Sequence, residues 1–133
     1  WAVGTAVTAT LRQETTAGVT YTGTWTLASL SGASGGKIKW SAANGAKSTT
    51  SVTGKGFALV ATKAKDRGKA AIYVDGVLKA TLDLYSATTK ARQVVYATTL
   101  GAGAHTVQVK VLGTKNVAST GKRVDLDAIV VLS

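Results

Sequence analysis

The 133-residue chain has no cysteine, no methionine, no proline and a single histidine, His105. Without cysteine there is no disulfide framework, no thiolate metal site and no thiol nucleophile. One histidine leaves a zinc ion almost without ligands. Without proline, the turns fall to Gly, Asn, Asp and Ser. Without methionine, the chain is expected to be a processed protein or a domain of a longer one. Acidic residues are scarce: 6 Asp plus Glu stand against 16 Lys plus Arg, a formal charge of +10. No apolar run approaches the roughly 18 residues of a membrane span, so no membrane insertion is expected. No leader peptide is expected in the chain, since a mature secreted chain would already have lost one.

What is present is small, β-favouring and cationic. A chain of this length is one domain by expectation, able to bury roughly two-thirds of its unfolded surface. Abundant Thr, Val, Ala and Gly point to an all-β protein. The positive field draws polyanions: nucleic acid, anionic cell-surface polymers or acidic polysaccharide. The plainer reading is solubility, with lysines on solvent faces and strand edges.

The clearest local signal is Gly68–Gly76, Gly-Lys-Ala-Ala-Ile-Tyr-Val-Asp-Gly, followed at once by Val77–Leu84. Two apolar runs around Asp-Gly predict a hairpin, because a type I′ turn requires positive φ at both central residues. Tyr73 and Val74 are expected inside a sheet. Trp1–Leu11 reads as an edge strand and Gln13–Gly18 as a loop. Tyr21–Leu30 alternates as one strand, with Tyr21, Gly23, Trp25 and Leu27 on one face. Ile38 and Trp40 share a face opposite Lys37 and Lys39, and Asn44-Gly45 is a second turn signal. Lys47–Thr53 reads as an exposed strand and Phe57–Thr62 as a central one. Lys63–Lys69 reads as a basic loop and Tyr85–Ala91 as a loop. Gln93–Ala97, His105–Leu112 and Val124–Leu132 complete eight to ten strands without a helix. Close, regular turns predict an antiparallel β-sandwich or barrel. No internal repeat or linker appears.

Taken in order, Gly-Lys-Ala-Ala-Ile-Tyr-Val-Asp-Gly, Leu-Gly-Ala-Gly-Ala-His-Thr-Val-Gln-Val and Val-Asp-Leu-Asp-Ala-Ile-Val-Val resemble the galactose-binding-like β-sandwich, or jelly roll, of many bacterial carbohydrate-binding modules. Tyr21, Gly23, Trp25, Gly35 and Gly36 resemble the first half of the version found in secreted, multidomain actinobacterial proteins. The resemblance spans most of the chain and implies a single sandwich domain of a larger secreted or cell-surface protein. It also implies a structural calcium held by N-terminal acids and by Asp125 or Asp127 on the last strand. The N-terminal part has only Glu14, and calcium needs six to eight oxygen ligands. Asp125 and Asp127 are therefore expected to bond loop backbone or to pair with Lys122 or Arg123, and no cofactor is expected.

Catalysis is not expected. No Ser lies in a Gly-x-Ser-x-Gly elbow. Asp75 is committed to its turn, and Asp83 lies in a strand. A sugar site needs an exposed ring and nearby hydrogen-bonding groups. The candidates are Trp40 and Tyr85, with Asn44, Asp66, Arg67 and Asn116 as polar partners. The competing reading buries Trp40 in the core, as is expected of Trp25 and Phe57, while Tyr73 and Tyr96 pack in strand centres. Nucleic-acid binding would want a gathered basic face with interleaved aromatics, and only Lys63–Lys69 clusters locally. The expected function is non-catalytic binding of a polysaccharide or cell-wall glycan, with a ligand-free structural or adhesion spacer as the alternative and polyanion binding as a third reading.

Overall fold

The computed structural model describes residues 9–13 and 19–132. Trp1, Glu14 and most of the expected first strand and first loop lie outside them. Twelve strands run in chain order: β1 Ala9–Gln13, β2 Val19–Thr22, β3 Thr26–Ser29, β4 Lys37–Ser41, β5 Lys47–Thr53, β6 Gly56–Lys63, β7 Lys69–Val74, β8 Val77–Asp83, β9 Lys90–Thr99, β10 Ala104–Val111, β11 Val124–Leu126 and β12 Ala128–Leu132. One 3-10 turn at Ser34–Gly36 is the helical element among the described residues. The strands form a five-stranded sheet β2-β5-β10-β7-β8, a four-stranded sheet β1-β12-β6-β9 and a three-stranded sheet β11-β4-β3. All pairings between these strands are antiparallel.

The core follows the two-residue period of the strands. In β10, Val107, Val109 and Val111 are buried, while Gln108 and Lys110 between them are not. Ala70, Ile72 and Val74 of β7 line the core beside it, and Ala71 between them is buried as well. From the other sheets come Phe57, Leu59, Ile129, Val131, Val124 and Leu126, and all join one cluster. Each fully buried Val, Leu, Ile or Phe contributes roughly 1.5–3 kcal/mol of transfer free energy.

The Asp75-Gly76 hairpin forms as expected, with φ of 52° and 80° at its two central residues. Asn44-Gly45 also turns: the Ala46 N–H donates to Ala43 O at 3.1 Å, and Gly45 has φ of 87°. This turn carries the chain from the three-stranded to the five-stranded sheet.

Three expected elements differ. Tyr21–Leu30 is not one strand, because the chain breaks at Gly23 and β2 and β3 lie in different sheets. Gly23 has φ of +81°, and a Cβ there would come 2.9 Å from Ala46 Cβ. Val124–Leu132 breaks likewise at Asp127, whose N–H donates to Val60 O at 3.0 Å as the chain passes between sheets. Lys47–Thr53 is interior rather than exposed: β5 lies between β2 and β10, with Ser48, Thr50 and Val52 buried.

The open edges are irregular. The β6–β9 pairing shifts register between Leu59 and Val60 and between Ala61 and Lys63, and β7–β8 shifts between Ile72 and Tyr73.

Candidate functional site

One end of the sandwich is built from two loops pressed together. The 64–68 loop joins β6 to β7, and the 119–123 segment leads into β11. Gly68 N–H donates to Arg123 O at 2.8 Å, and Arg123 N–H donates to Asp66 O at 3.2 Å. The approach is close enough to require glycine: a Cβ on Gly68 would stand 2.6 Å from Lys122 O, and one on Gly121 would stand 2.9 Å from Asp66 O. Buried Ser119 completes the tie, with its Oγ 2.7 Å from Arg67 O and 2.8 Å from Gly121 O.

These loops wall a groove of about 240 Å³. Its opposite wall is the three-stranded sheet, with Ile38 and Trp40 of β4 and Ala28 and Ser29 of β3. The pairing of Trp40 with Asp125 across β4 and β11 brings Arg123, two residues before Asp125, onto the indole. The Arg123 guanidinium carbon lies 3.9 Å from the Trp40 ring centroid. Such a stack is worth about 0.5–2 kcal/mol, more when desolvated.

From that ring a chain of alternating charges leads inward. Arg123 Nη1 is 3.8 Å from Asp66 Oδ2, Arg67 Nη1 donates to Asp66 Oδ1 at 2.6 Å, and Arg67 Nε is 3.6 Å from Asp125 Oδ1. Side-chain exposure falls along it, from 44% at Arg123 and 36% at Asp66 to 6% at Arg67 and 0% at Asp125. Asp125 Oδ1 also accepts the Thr62 N–H at 3.0 Å. Burial nevertheless outweighs Arg67 and this hydrogen bond, and it pushes the Asp125 carboxyl above the usual carboxylate range. Arg67 is thus an interior counter-ion rather than a member of an exposed basic loop. Lys65, Thr89 and Ser29 add further polar groups to the groove. Asp66 is its one lining carboxylate among the described residues.

The structure brings three of the six expected sugar-site residues together: Trp40, Asp66 and Arg67. The other three lie outside this lining. Asn116 is committed to its own loop, where its Nδ2 donates to Asp83 Oδ2 at 3.0 Å and its Oδ1 accepts the Ala118 N–H at 3.0 Å. Tyr85 is half-buried in an isolated bridge to Ala64 and donates its N–H to Asp83 Oδ1 at 3.0 Å. Partial burial opposes ionisation of Asp83, but the Asn116 amide, the Tyr85 N–H, Lys69 and Lys63 outweigh it and hold the carboxyl low. Asn44 is exposed on its turn, packed near Gly113. The sequence reading missed Arg123 as a groove residue; its alternation with Asp125 was the available signal, but the β4–β11 register was not.

Asp125 bonds backbone and pairs with Arg67, not with the expected Lys122 or Arg123. Asp127 is fully buried and accepts the Ser34 N–H on Oδ2 at 3.0 Å. No group of three or more His, Cys, Asp or Glu residues converges among the described residues.

A second cluster occupies the other end of the β7–β8 hairpin. Asp75 Oδ2 is 2.6 Å from His105 Nδ1, and its Oδ1 accepts the Thr106 N–H at 2.9 Å. His105 Nε2 is 2.8 Å from Gly101 O. Both ring nitrogens face acceptors, so the imidazolium is the form that satisfies both. The hydrogen bond with Asp75, followed by that to Gly101 O, raises the His105 pKa, and the His105 and Thr106 bonds lower that of Asp75.

No protein-family profile and no curated protein matches the sequence. Solved structures do match in fold. A two-domain esterase active on acetylated mannans, co-crystallised with mannopentaose, aligns at a TM-score of 0.67 and 17% identity over 94% of this chain. A Paenibacillus xanthan lyase aligns at 0.61 and 23% over 85%. The chain spans 36% of the esterase and 12% of the lyase. The CBM36-1 domain of a multidomain xylanase from the hindgut metagenome of Trinervitermes trinervoides aligns at 0.54 and 17%, over 95% of this chain and 97% of that one. The fold is the antiparallel β-sandwich that the sequence led us to expect.

Proposed function

We propose that this domain is a non-catalytic carbohydrate-binding module and that the Trp40–Arg123 groove is its site. The observation that carries the reading is a half-buried indole lined by a guanidinium, in a groove with apolar walls and a few converging polar groups, as small-ligand sites are usually built. A pyranose presents an apolar face to such a surface and hydroxyls to Asp66, Ser29 and Thr89. Lys65 and Arg123 at the mouth, with the net charge of +10, favour an anionic polysaccharide or cell-wall glycan over a neutral one. Arg67 braces Asp66 from the interior. A lone carboxylate lacks the paired carboxyl groups of glycoside hydrolysis. Carbohydrate-active proteins among the fold neighbours support the same reading, and they favour a secreted or cell-surface setting beside other domains. A single small site of this kind gains strength by multivalency.

The test is retention of the full chain on neutral and anionic polysaccharides at low and physiological salt, with DNA alongside. Salt-resistant retention on one or a few glycans is expected, weakened about tenfold by Trp40→Ala and by the exposed Arg123→Ala; a tenfold loss is about 1.4 kcal/mol. Retention indifferent to both variants would refute the site. Capture by every polyanion, DNA included, that vanishes with salt would reduce the interaction to counterion release. No retention on any glycan would leave a structural spacer.

A further inference from the structure

The His105 end of the molecule holds a second cleft, of about 300 Å³, between the β7–β8 turn and the end of β9. It does not belong to the groove. Thr89, just before β9, lines the groove, whereas Thr98 and Thr99 at the far end of the same strand line the cleft. Ten residues of strand at about 3.3 Å each separate them by roughly 30 Å.

The clamp described above builds one wall. Asp75 and His105 spend their hydrogen-bonding groups on each other, on Thr106 and on Gly101 O, and so hold the turn and the 100–103 loop at a fixed separation. The rest of the lining is different in kind. Lys79 makes no salt bridge within 4 Å among the described residues, and its charge reaches Asp75 only through space. Thr98 and Thr99 also line it, the Thr98 hydroxyl 3.4 Å from Thr99 O, and Val77 and Leu100 present apolar surface, with Val77 56% exposed. The volume lies at the small end of ligand sites, enough for one compact molecule rather than a chain.

We propose that this cleft is a second binding site, for a single uronic-acid unit. Lys79 takes the carboxylate, the threonine hydroxyls take ring hydroxyls, and Val77 and Leu100 take the apolar ring face. The ligand class rests on the carbohydrate-binding reading above; the existence of the cleft does not. Asp75, the one carboxylate of the cleft lining among the described residues, is already paired with His105 at 2.6 Å, so a neutral sugar would leave Lys79 without a direct partner, and a simple carboxylate would leave the apolar wall uncovered.

The test is a backbone-amide NMR titration of the full chain with sodium D-glucuronate, D-glucose and sodium acetate. Glucuronate should produce saturating shifts at Val77, Thr99 and Gly101. Glucose and acetate should bind at least about tenfold more weakly, as loss of a hydrogen bond to a charged group implies. Lys79→Ala, on an exposed edge strand, should weaken glucuronate about tenfold, and Trp40→Ala should leave the cleft shifts unchanged. Equal responses to all three compounds, or shifts that survive Lys79→Ala, would overturn the proposal. Glucuronate shifts confined to Lys65, Asp66 and Arg123 would overturn it while leaving the groove reading intact. Saturating cleft shifts in a protein whose polysaccharide retention ignores Trp40→Ala would support it while refuting the groove.

Discussion

Replacing Arg67 by Met removes the only charge that faces buried Asp125 at close range among the described residues. The two charged groups stand 3.6 Å apart, with side-chain exposures of 6% and 0%. At an effective dielectric constant of about 20, that separation corresponds to roughly 4–5 kcal/mol of attraction. Breaking one partner of a buried pair typically costs about 3–5 kcal/mol, because the other charge stays buried. Met keeps most of the volume, so cavity formation adds little. Against a total stability of about 5–15 kcal/mol for a domain, the loss is large. The assay is urea unfolding followed by tryptophan fluorescence at several pH values. The carboxyl of Asp125 is already raised by burial, and loss of Arg67 raises it further. A raised carboxyl contributes stability below its unfolded value of 3.8 and loses it as pH rises through the folded value. The deficit of Arg67→Met should therefore be greatest at neutral pH and shrink as pH falls toward 4. Asp125→Asn in the same chain keeps an acceptor for the Thr62 N–H and should recover at least about 2 kcal/mol. A single-variant cost below about 1 kcal/mol, or a deficit constant with pH, would refute the account of Arg67 as an interior counter-ion.

Gly68→Ala should cost about 1–3 kcal/mol in the same assay, because its Cβ meets the Lys122 carbonyl, which is backbone and cannot swing away. It should also weaken glycan retention, since the same contact positions Arg123. His105→Gln should narrow the pH dependence of the thermal midpoint. The charged His105 stabilises fully below its unfolded value of 6.5 and loses that effect as pH rises through its raised folded value, while Asp75 stabilises above 3.8 and loses its effect as pH falls through its lowered one. The gap between the native protein and the variant should thus be widest at about pH 5 and close toward pH 9; a constant gap would mean the contact is not charge-dependent.

The hairpin and the inner face of β10 were legible because their signals are local. Asp75-Gly76 dictates its own turn, and Val107, Val109 and Val111 dictate their own face. The breaks at Gly23 and Asp127 were not. Each interrupts a run whose alternation continues smoothly, and the causes, Ala46 and the Ser34 and Val60 backbone, lie far along the chain. The candidate site divides in the same way. Trp40 and Asp66 could be singled out by residue type and nearby loops. Arg67 could not be recognised as buried, because its counter-ion Asp125 belongs to a strand near the other end of the sequence. Arg123 entered the groove through the β4–β11 register, which a single sequence does not display. Ser119 looked like an ordinary loop serine, and only the fold gives its hydroxyl three backbone carbonyls within reach.

The register shifts along β8 and β9 bear on how the protein behaves at high concentration. An incoming strand from another copy could pair only with a short, uniformly spaced row of amides before a bulge displaced the next one. β9 begins with Lys90 and carries Arg92 at a φ of 53°, so the approaching backbone would also meet two cations on a molecule already at +10. Fibril-like stacking along these borders is therefore opposed by geometry and by like charge together, and of the two only the second weakens as salt is added.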